Sequence, residues 1–327
     1  MKNLCIVVPE SNSNAGSIVL AYEVFSKANE YHVNTGQKAV FKIQLVGCAE
    51  KTSLYQGRFI INPDVNLTDN PRADLIIIPT LDEHLAQTLQ NSSALIDWVT
   101  RQYKLGAEVA SLCTGAFLLA AAGILNGKQC STHWAAAGAF RQMFPDLDLQ
   151  PQKIITDEQG VYTTGGALSS MNLVLYLVEK YYSRETAIFC AKLFEVDLGR
   201  NSQSPFMIFT GQKSHDDDEI KKAQDYMENN LKEKINIENL ASSLAIDRRN
   251  FDRRFKKATA NTPAEYMQRI KIEAAKKSLE TTRKNLNEVM FDVGYTDSRA
   301  FREVFKKITG LSPMEYRNKY NKDLAVV

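Results

Sequence analysis

A twenty-residue segment occurs twice in the C-terminal third of this 327-residue chain, with an offset of 50 residues. The first copy, residues 247–266, reads DRRNFDRRFKKATANTPAEY, and the second, residues 297–316, reads DSRAFREVFKKITGLSPMEY. Ten of the twenty positions are identical, which chance does not produce. This part of the chain must therefore build one local structure twice.

Each copy has the pattern of a helix with one buried stripe and one polar face. Asp247 and Asp297 are good N-caps, because an aspartate accepts the free amide hydrogens of a first turn. The two Phe residues that follow in each copy are four positions apart and mark the buried stripe. The side chains predicted to face outward and to contact DNA are Arg248, Arg249, Asn250, Arg253 and Lys256 in the first copy, and Ser298, Arg299, Ala300, Arg302 and Lys306 in the second.

A second short helical pattern precedes each polar helix, over residues 237–244 and 286–293. Helix, tight turn and polar helix form a helix-turn-helix, in which the second helix enters a major groove. Gly294 supplies the turn in the second copy, and Ala245 stands at that place in the first. Residues 263–280 predict a connecting helix of about 27 Å, and two helices that read one face of DNA lie about 34 Å apart. A helical protein-interaction repeat is the alternative.

Charge is distributed as a DNA-binding interpretation requires. The whole chain has a formal net charge of +2, but residues 1–210 carry 16 basic and 19 acidic side chains, whereas residues from 220 onward carry 23 and 15. Lys and Arg displace counterions from phosphates, so a basic block suits a polyanion. A merely solvated surface is the alternative explanation.

The basic half closely resembles the DNA-binding domain of the AraC/XylS family, and residues 286–317 carry this resemblance almost end to end. It implies seven helices, two helix-turn-helix units and binding to double-stranded promoter DNA at two successive major-groove segments. Met290 departs from the family pattern, which usually has a small Ala there, and we expect an effect on helix packing more than on function.

The first half alternates short apolar runs with helical stretches. Residues 4–8, 40–46, 75–78 and 109–111 predict buried parallel strands, and residues 18–30, 95–103, 115–125 and 168–182 predict helices. We therefore predict an α/β domain with a flavodoxin-like doubly wound sheet over residues 1–200, a linker over 201–216, and an all-α domain over 217–320. The acidic run at 216–219 predicts a helix N-terminus.

Five Cys residues, all in the first half, show neither CxxC spacing nor an even count, so the sequence predicts no disulfide framework and no metal site. No stretch of 18 apolar residues and no leader is present, and we expect a cytoplasmic protein without a membrane partner.

The most distinctive motif of the first half places Cys113 between a strand and a nearly all-apolar helix. A Cys at such a turn points into the cleft at the carboxyl end of the sheet, and His133 is a candidate partner base. Without further information, a buried packing role for Cys113 is the alternative.

Residues 113–120 (CTGAFLLA), 132–134 (THW) and 163–179 resemble the ThiJ/PfpI superfamily, with its class I glutamine-amidotransferase-like fold, and specifically the sensor half of GlxA-type AraC regulators. Active ThiJ/PfpI members carry an acidic residue where this chain has Ser17, and amidotransferases have Gly where it has Ser111. Ser17 cannot orient His133, so the resemblance implies no catalytic residues here.

The same cleft can instead bind a ligand, because open α/β sheets bind ligands at the carboxyl ends of their strands. No phosphate-binding Gly loop occurs, so no cofactor is expected. Trp134 could cover an apolar or cationic group, or could belong to the core. The predicted ligand-binding residues are Glu10, Ser11, Ser17, Thr80, Cys113, Thr114, His133, Trp134 and Gly165.

The sequence therefore predicts a transcription regulator, an activator, whose non-catalytic domain senses a small-molecule effector. A homodimer and RNA polymerase are the expected further partners. The alternatives are a Cys113-dependent hydrolase or amidase of the ThiJ/PfpI type, and a regulator that senses oxidants through Cys113.

Overall fold

The computed structural model describes residues 1–10, 13–81 and 84–321. It divides into two compact units, the first ending at Gln203 and the second beginning at Ser204. No helix in these ranges is long and apolar enough to cross a membrane.

The first unit is built around a mostly parallel sheet. Its strands are β1 (Lys2–Val8), β2 (Phe41–Gly47), β3 (Thr52–Leu54), β4 (Phe59–Ile61), β5 (Val65–Asn66), β6 (Leu75–Ile78), β7 (Glu108–Ser111), β8 (Gln129–Cys130), β9 (Asp148–Leu149), β10 (Ile155–Glu158) and β11 (Val161–Thr164). Among the described residues, the main sheet has seven strands in the order β10-β11-β7-β6-β1-β2-β5. All its neighbours are parallel except β10 and β11.

Helices cover both faces of this sheet. They are α1 (Ala15–Asn34), α2 (Leu85–Asn91), α3 (Ser93–Lys104), α4 (Ala116–Ala121), α5 (Ala137–Met143), α6 (Ser170–Tyr181) and α7 (Arg184–Leu193). One core contains Trp98, Phe117 and Phe140 under α2 to α5. The other contains Phe25 and Leu173 under α1, α6 and α7. Two separate cores on opposite faces are what strands apolar on both sides require, and the predicted α/β doubly wound fold is confirmed.

The second unit is helical, as predicted, and its described part carries seven helices. They are α8 (Asp218–Asn229), α9 (Ile237–Ser243), α10 (Arg248–Thr259), α11 (Pro263–Thr281), α12 (Leu286–Asp292), α13 (Ser298–Thr309) and α14 (Pro313–Tyr320). Phe251 and Phe255 lie in one small core, and Phe301 and Phe305 lie in a second. Helix α11 contributes to both cores and, at 19 residues, spans about 28 Å.

The duplicated sequence produces duplicated local structure. Asp247 and Asp297 cap α10 and α13 through the amides of Asn250 and Ala300. Each copy then ends in a Thr or Ser, Pro and Glu that form a capping box at the start of the next helix, Thr262 with Glu265 and Ser312 with Glu315. Each box fixes where its helix begins, because it satisfies two amide groups that the first turn leaves free.

The residues assigned to a linker at 201–216 make specific contacts. The side chain of Gln203 is buried in the first unit. In the second unit, Lys276 donates to the carbonyl of Met207 at 2.6 Å, and the Phe209 amide donates to Glu273 at 3.1 Å. The domain boundaries at 200 and 217 stay predictions, while the contacts divide the chain between 203 and 204.

Candidate functional site

A cavity of about 800 Å³ lies at the carboxyl edge of the sheet in the first unit. Residues that follow β1, β6 and β7 line it, since parallel strands bring their carboxyl ends together. The lining residues are Ser13, Asn14, Tyr55, Gln56, Arg58, Thr80, Leu81, Leu85, Cys113, Thr114, His133, Ala135, Ala136 and Ala139.

Four of the residues predicted for the ligand site border this cavity: Thr80, Cys113, Thr114 and His133. Thr114 donates its hydroxyl to the carbonyl of Leu81 at 2.7 Å, which ties the turn after β7 to the loop after β6. The carbonyl of Cys113 accepts from the Thr132 hydroxyl at 3.0 Å. These bonds hold three loops in one wall.

The other predicted ligand residues do not line the cavity. Glu10 is exposed, and Ser11 lies outside the described residues. Ser17 borders a separate apolar cavity of about 190 Å³, and its hydroxyl joins the Asn14 carbonyl at 2.7 Å to the Thr80 amide at 3.1 Å. It therefore fastens the start of α1 to the end of β6.

Trp134 and Gly165 take part in a neighbouring contact instead. Trp134 is half-buried beside His133, with ring centroids 5.3 Å apart, and its amide donates to Gln203 at 3.4 Å. A Cβ atom at Gly165 would lie 2.1 Å from Cδ of Gln203. The space expected for a ligand beside Gly165 is thus filled by a side chain of the same protein.

Cys113 has the backbone geometry that its motif predicts. Its φ of 57° lies in the left-handed region, which a residue with a Cβ seldom adopts. The side chain is 4% exposed and borders the cavity. Within the described ranges, no side chain forms a hydrogen bond with its sulfur. Cys113 is therefore a strained thiol at the cavity, and the described residues supply no partner that would activate it.

His133 is held in an orientation that does not serve Cys113. Its Nδ1 accepts the Ala135 amide at 3.0 Å, so the proton of the neutral ring is on Nε2. A Cβ at Gly166 would lie 2.4 Å from that Nε2, so this edge of the ring faces the Gly166 backbone. Burial lowers the pKa of His133 below its ordinary value and favours the neutral ring. No described carboxylate forms a hydrogen bond with the ring.

The hairpin of β3 and β4 was not predicted from the sequence, and its tip brings Tyr55, Gln56 and Arg58 to the cavity. Its strands have only three residues each, and Phe59 and Ile60 on β4 are 57% and 61% exposed, so no alternating pattern marks them. Three successive left-handed residues, Tyr55 to Gly57, make the turn, and the Gly57 provided a weak signal for it.

The candidate DNA-contacting residues lie on α10 and α13, as predicted. Arg249, Arg253, Lys256, Arg302 and Lys306 are exposed. The small residues Ser298 and Ala300 are exposed too, and leave the start of α13 open.

Four of the predicted DNA-contacting residues also bond to neighbours on the same helix. Arg248 pairs with Asp252 at 2.9 Å, Arg299 pairs with Glu303 at 2.9 Å, and the Asn250 amide oxygen accepts from Arg253 at 2.8 Å. The Arg299 side chain is 88% exposed even so. Such surface pairs contribute little to stability, so a phosphate or a base can replace the partner.

Arg254 differs from its basic neighbours. Its guanidinium forms two hydrogen bonds with Asp217, at 2.8 Å and 2.6 Å. Asp217 is also the N-cap of α8. Arg254 therefore fixes the orientation of α10 on α8, while Arg249 and Arg253 extend into solvent.

Comparison with known proteins gives matches in both units. The DJ-1/PfpI family matches residues 15–180, and a family described as a helix-turn-helix domain matches residues 240–319. Among the described residues, no cluster of side chains could hold a metal ion.

Two relatives and one solved structure illustrate these matches. The transcriptional regulator GbdR of Pseudomonas aeruginosa is 24% identical over 264 residues, which cover 79% of this chain and 69% of GbdR. The isonitrile hydratase of Pseudomonas putida is 28% identical over 147 residues, covering 45% of this chain and 60% of the hydratase. The crystal structure of a proposed transcriptional regulator from Vibrio parahaemolyticus aligns with a TM-score of 0.53 at 21% identity, over 59% of this chain and 98% of that one.

Proposed function

This chain belongs to the DJ-1/PfpI family and carries an AraC-type helix-turn-helix domain, and on this premise we propose that it is a ligand-responsive regulator of transcription. It is a DNA-binding regulator in which the DJ-1/PfpI domain is joined to two helix-turn-helix units. The observation that supports the sensing role is the cavity beside Cys113, which is open to a small molecule but lacks a catalytic arrangement among the described residues.

Helices α10 and α13 recognise the DNA. The two helices begin with equivalent caps and present basic faces, and the 19-residue α11 contributes to the cores of both helix-turn-helix units. Arg and Lys contacts to phosphates provide affinity, and the residues near the helix starts read base edges. Each helix-turn-helix unit then recognises one of two successive major-groove segments.

The first unit acts as a sensor and not as an enzyme. Thiol catalysis requires a base that removes the proton from sulfur and a group that orients the base. His133 has Nδ1 occupied by the Ala135 amide, and Ser17, at the position of the acid, is occupied with the Asn14 carbonyl and the Thr80 amide. Bound effector shifts the equilibrium between two arrangements of the protein, and thereby promoter occupancy.

We further propose that the protein activates transcription through RNA polymerase, that it is a homodimer, and that it is cytoplasmic. Two linked DNA-binding units gain affinity on adjacent sites through effective concentration. The free cysteines, five in the described chain, fit a reducing compartment.

One enzymatic alternative has an observation in its favour. The isonitrile hydratase is similar to this chain over 147 residues, and Cys113 borders the cavity. If the first unit were a hydratase or a hydrolase, turnover of an isonitrile or an amide would be measurable in the wild type and lost in Cys113→Ala.

The experiment that tests the sensing role is thermal denaturation of the wild type and of Cys113→Ala with a panel of amino acids, quaternary amines, nucleosides and sugars. A ligand at 100 times its dissociation constant adds about 2.7 kcal/mol to the free energy of unfolding. Stabilisation that survives in Cys113→Ala supports a binding sensor. If no compound stabilises either protein, and peroxide changes the melting temperature of the wild type only, the protein is a thiol sensor and not a ligand-binding sensor.

A further inference from the structure

The cavity has one strongly charged wall, at the tip of the β3–β4 hairpin. Arg58 is the only formally charged side chain among the described residues that line it. Arg58 is exposed, and within the described part of the chain it forms no ion pair. An exposed guanidinium that lines a cavity, and that has no carboxylate partner among the described residues, favours an anionic ligand.

The remaining walls suit an organic molecule with an apolar body. Leu81, Leu85 and three alanines give the cavity an apolar surface, and Asn14 and Thr80 add polar side chains. Ser13 lines the same cavity and is 4% exposed, yet its hydroxyl has no hydrogen-bond partner in the described structure. A buried hydroxyl without a partner costs free energy, so a polar atom of a ligand would satisfy it.

We propose that the effector is a small organic monocarboxylate, whose carboxylate is bound by Arg58 and whose apolar part lies against Leu81 and Leu85. This inference rests on the proposed sensing function. One guanidinium matches the single charge of a carboxylate and forms two parallel hydrogen bonds with it. A phosphate dianion would retain an uncompensated charge against an apolar wall, which is unfavourable.

The test uses ligands with one skeleton and different charges. Phenylacetate, 2-phenylethanol, 2-phenylethylammonium and phenyl phosphate are titrated calorimetrically into the full chain, together with a thermal-shift panel of about one hundred metabolites. We expect phenylacetate to bind at least about ten-fold more tightly than the neutral and cationic analogues, and carboxylates to dominate the stabilising metabolites.

The substitution Arg58→Gln should remove this preference. Its matched control is Arg72→Gln, because Arg72 is an exposed arginine of the same unit that does not line the cavity. Stabilisation by cations, neutral compounds or phosphates only would overturn the carboxylate assignment. Stabilisation by no compound at all would contradict the sensing function itself.

A second, independent observation concerns Gln203, the last residue of the first unit. Its buried amide lies where three loops meet, and it is 2% exposed. Oε1 accepts the amides of Gly166 at 3.0 Å and Trp134 at 3.4 Å. Nε2 lies 2.7 Å from the Pro151 carbonyl, 3.0 Å from that of Thr132 and 3.1 Å from that of Lys153. The amide thus satisfies its full hydrogen-bonding capacity.

Two of these partners are next to residues of the cavity. Thr132 and Trp134 flank His133, which lines the cavity. Gly166 packs against the His133 ring so closely that a Cβ there would lie 1.7 Å from Cδ2. On the other side, the residue after Gln203 is Ser204, where the second unit begins. A shift of His133 therefore disturbs the hydrogen bonds that Trp134 and Gly166 donate to Gln203. The DNA-binding unit begins at the next residue.

We infer that Gln203 couples occupancy of the cavity to the segment that leads into the DNA-binding unit. A ligand that moves the His133 loop weakens the hydrogen bonds of Gln203, and the change passes through the chain to residues 204–209. This coupling requires that the Gln203 side chain has two hydrogen-bonding arrangements. It requires no other contact between the units.

Hydrogen–deuterium exchange of the full chain tests the coupling without ligand or DNA. Gln203→Glu keeps the shape of the side chain and the acceptor oxygen but places a carboxylate against three carbonyls. We expect amide exchange to accelerate about ten-fold or more at Trp134 and Gly166, and also at Met207 and Phe209, whose amides donate hydrogen bonds in the structure.

Gln37→Glu is the control, because it makes the same chemical change on an exposed side chain of the first unit that is not among the hydrogen-bond partners of Gln203. If Gln203→Glu does not fold, Gln203→Asn replaces it, since it shortens the side chain and keeps its polarity. Faster exchange confined to the loops of the first unit, with residues 204–209 unchanged, would overturn the coupling. Unchanged exchange at all four amides would overturn it too.

Discussion

Arg254 and Asp217 form a two-point ion pair, with Nε to Oδ2 at 2.8 Å and Nη2 to Oδ1 at 2.6 Å. The pair joins the basic helix α10 to the first turn of α8, which Asp217 also caps. The side chains are 31% and 22% exposed, so water screens the pair only in part. A basic residue within the recognition helix therefore has a structural role, and its neighbours Arg249 and Arg253 remain for DNA.

Asp217→Asn should lower the free energy of unfolding of the second unit by about 1 kcal/mol, because Asn still caps α8 but loses the charge. The hydrogen bonds from Arg254 hold the pKa of Asp217 below its ordinary value of 3.8. A carboxyl with a lowered pKa stabilises the fold above about pH 4, and this contribution is lost as the pH falls further. Urea unfolding at several pH values should show the variant and the wild type converging in acid.

Asp225→Asn provides the control for this experiment. Asp225 lies on the same helix and pairs with Lys213 at 2.8 Å, but its side chain is 61% exposed. We expect a change below about 0.5 kcal/mol. A larger effect of Asp225→Asn than of Asp217→Asn would contradict the role assigned to Arg254.

The two turn positions of the repeat should respond differently to exchange of Ala and Gly. Gly294 has a φ of +72°, and a Cβ there would lie 2.7 Å from the carbonyls of Leu231 and Lys232. Ala245 adopts a φ of 55° at the corresponding turn. Gly294→Ala should destabilise by more than about 1 kcal/mol, whereas Ala245→Gly should change stability by less than about 1 kcal/mol, since relief of strain offsets added chain entropy. Equal losses in denaturant melts would contradict this difference.

Gly166→Ala should disrupt the wall of the cavity. The added methyl would lie 1.7 Å from Cδ2 of His133, so either the His133 ring or the loop must move. We expect a loss of about 2 kcal/mol or more in the free energy of unfolding. Gly138→Ala is the matched control, because a Cβ at this position of α5 meets no atom within 4 Å. Gly138→Ala should be neutral or stabilising by up to about 1 kcal/mol, and an equal loss in both variants would refute the close contact.

The thiols should differ in reactivity. Burial raises the pKa of Cys5 and Cys130 to about 12 and that of Cys190 to about 11, so few thiolates form at neutral pH. Cys113 borders the cavity, and Cys48 is half-buried. Brief treatment with iodoacetamide, followed by mass spectrometry, should label Cys113 and Cys48 before the other three. Early labelling of Cys130 would show that the cavity is not the route by which reagents enter.

The sequence predicted the second unit in more detail than the first. The repeat marked α10 and α13, both caps and the connecting helix, because these features depend on residues within a few positions of each other. The four apolar runs likewise predicted β1, β2, β6 and β7, since strands buried on both faces need continuous apolar sequence.

The contacts that shape the candidate site could not be predicted from the sequence in the same way. Gln203 bonds with residues 37 to 72 positions away, and its surroundings have the composition of a linker. Arg58 and Ser13 reach the cavity from segments with no apolar pattern. Such contacts are set by how the loops meet at the sheet edge, which local propensity does not encode.

Selection of bound sequences from a random double-stranded DNA library tests the central claim most directly. The wild type should enrich two sequence elements about 10 base pairs apart, one for each helix-turn-helix unit. Arg249→Ala should weaken the enrichment of one element and Arg299→Ala that of the other, with a loss of about 1–3 kcal/mol at the affected positions, while Arg72→Ala should leave both unchanged. A single element, or two substituted proteins that select the same DNA as the wild type, would contradict the account.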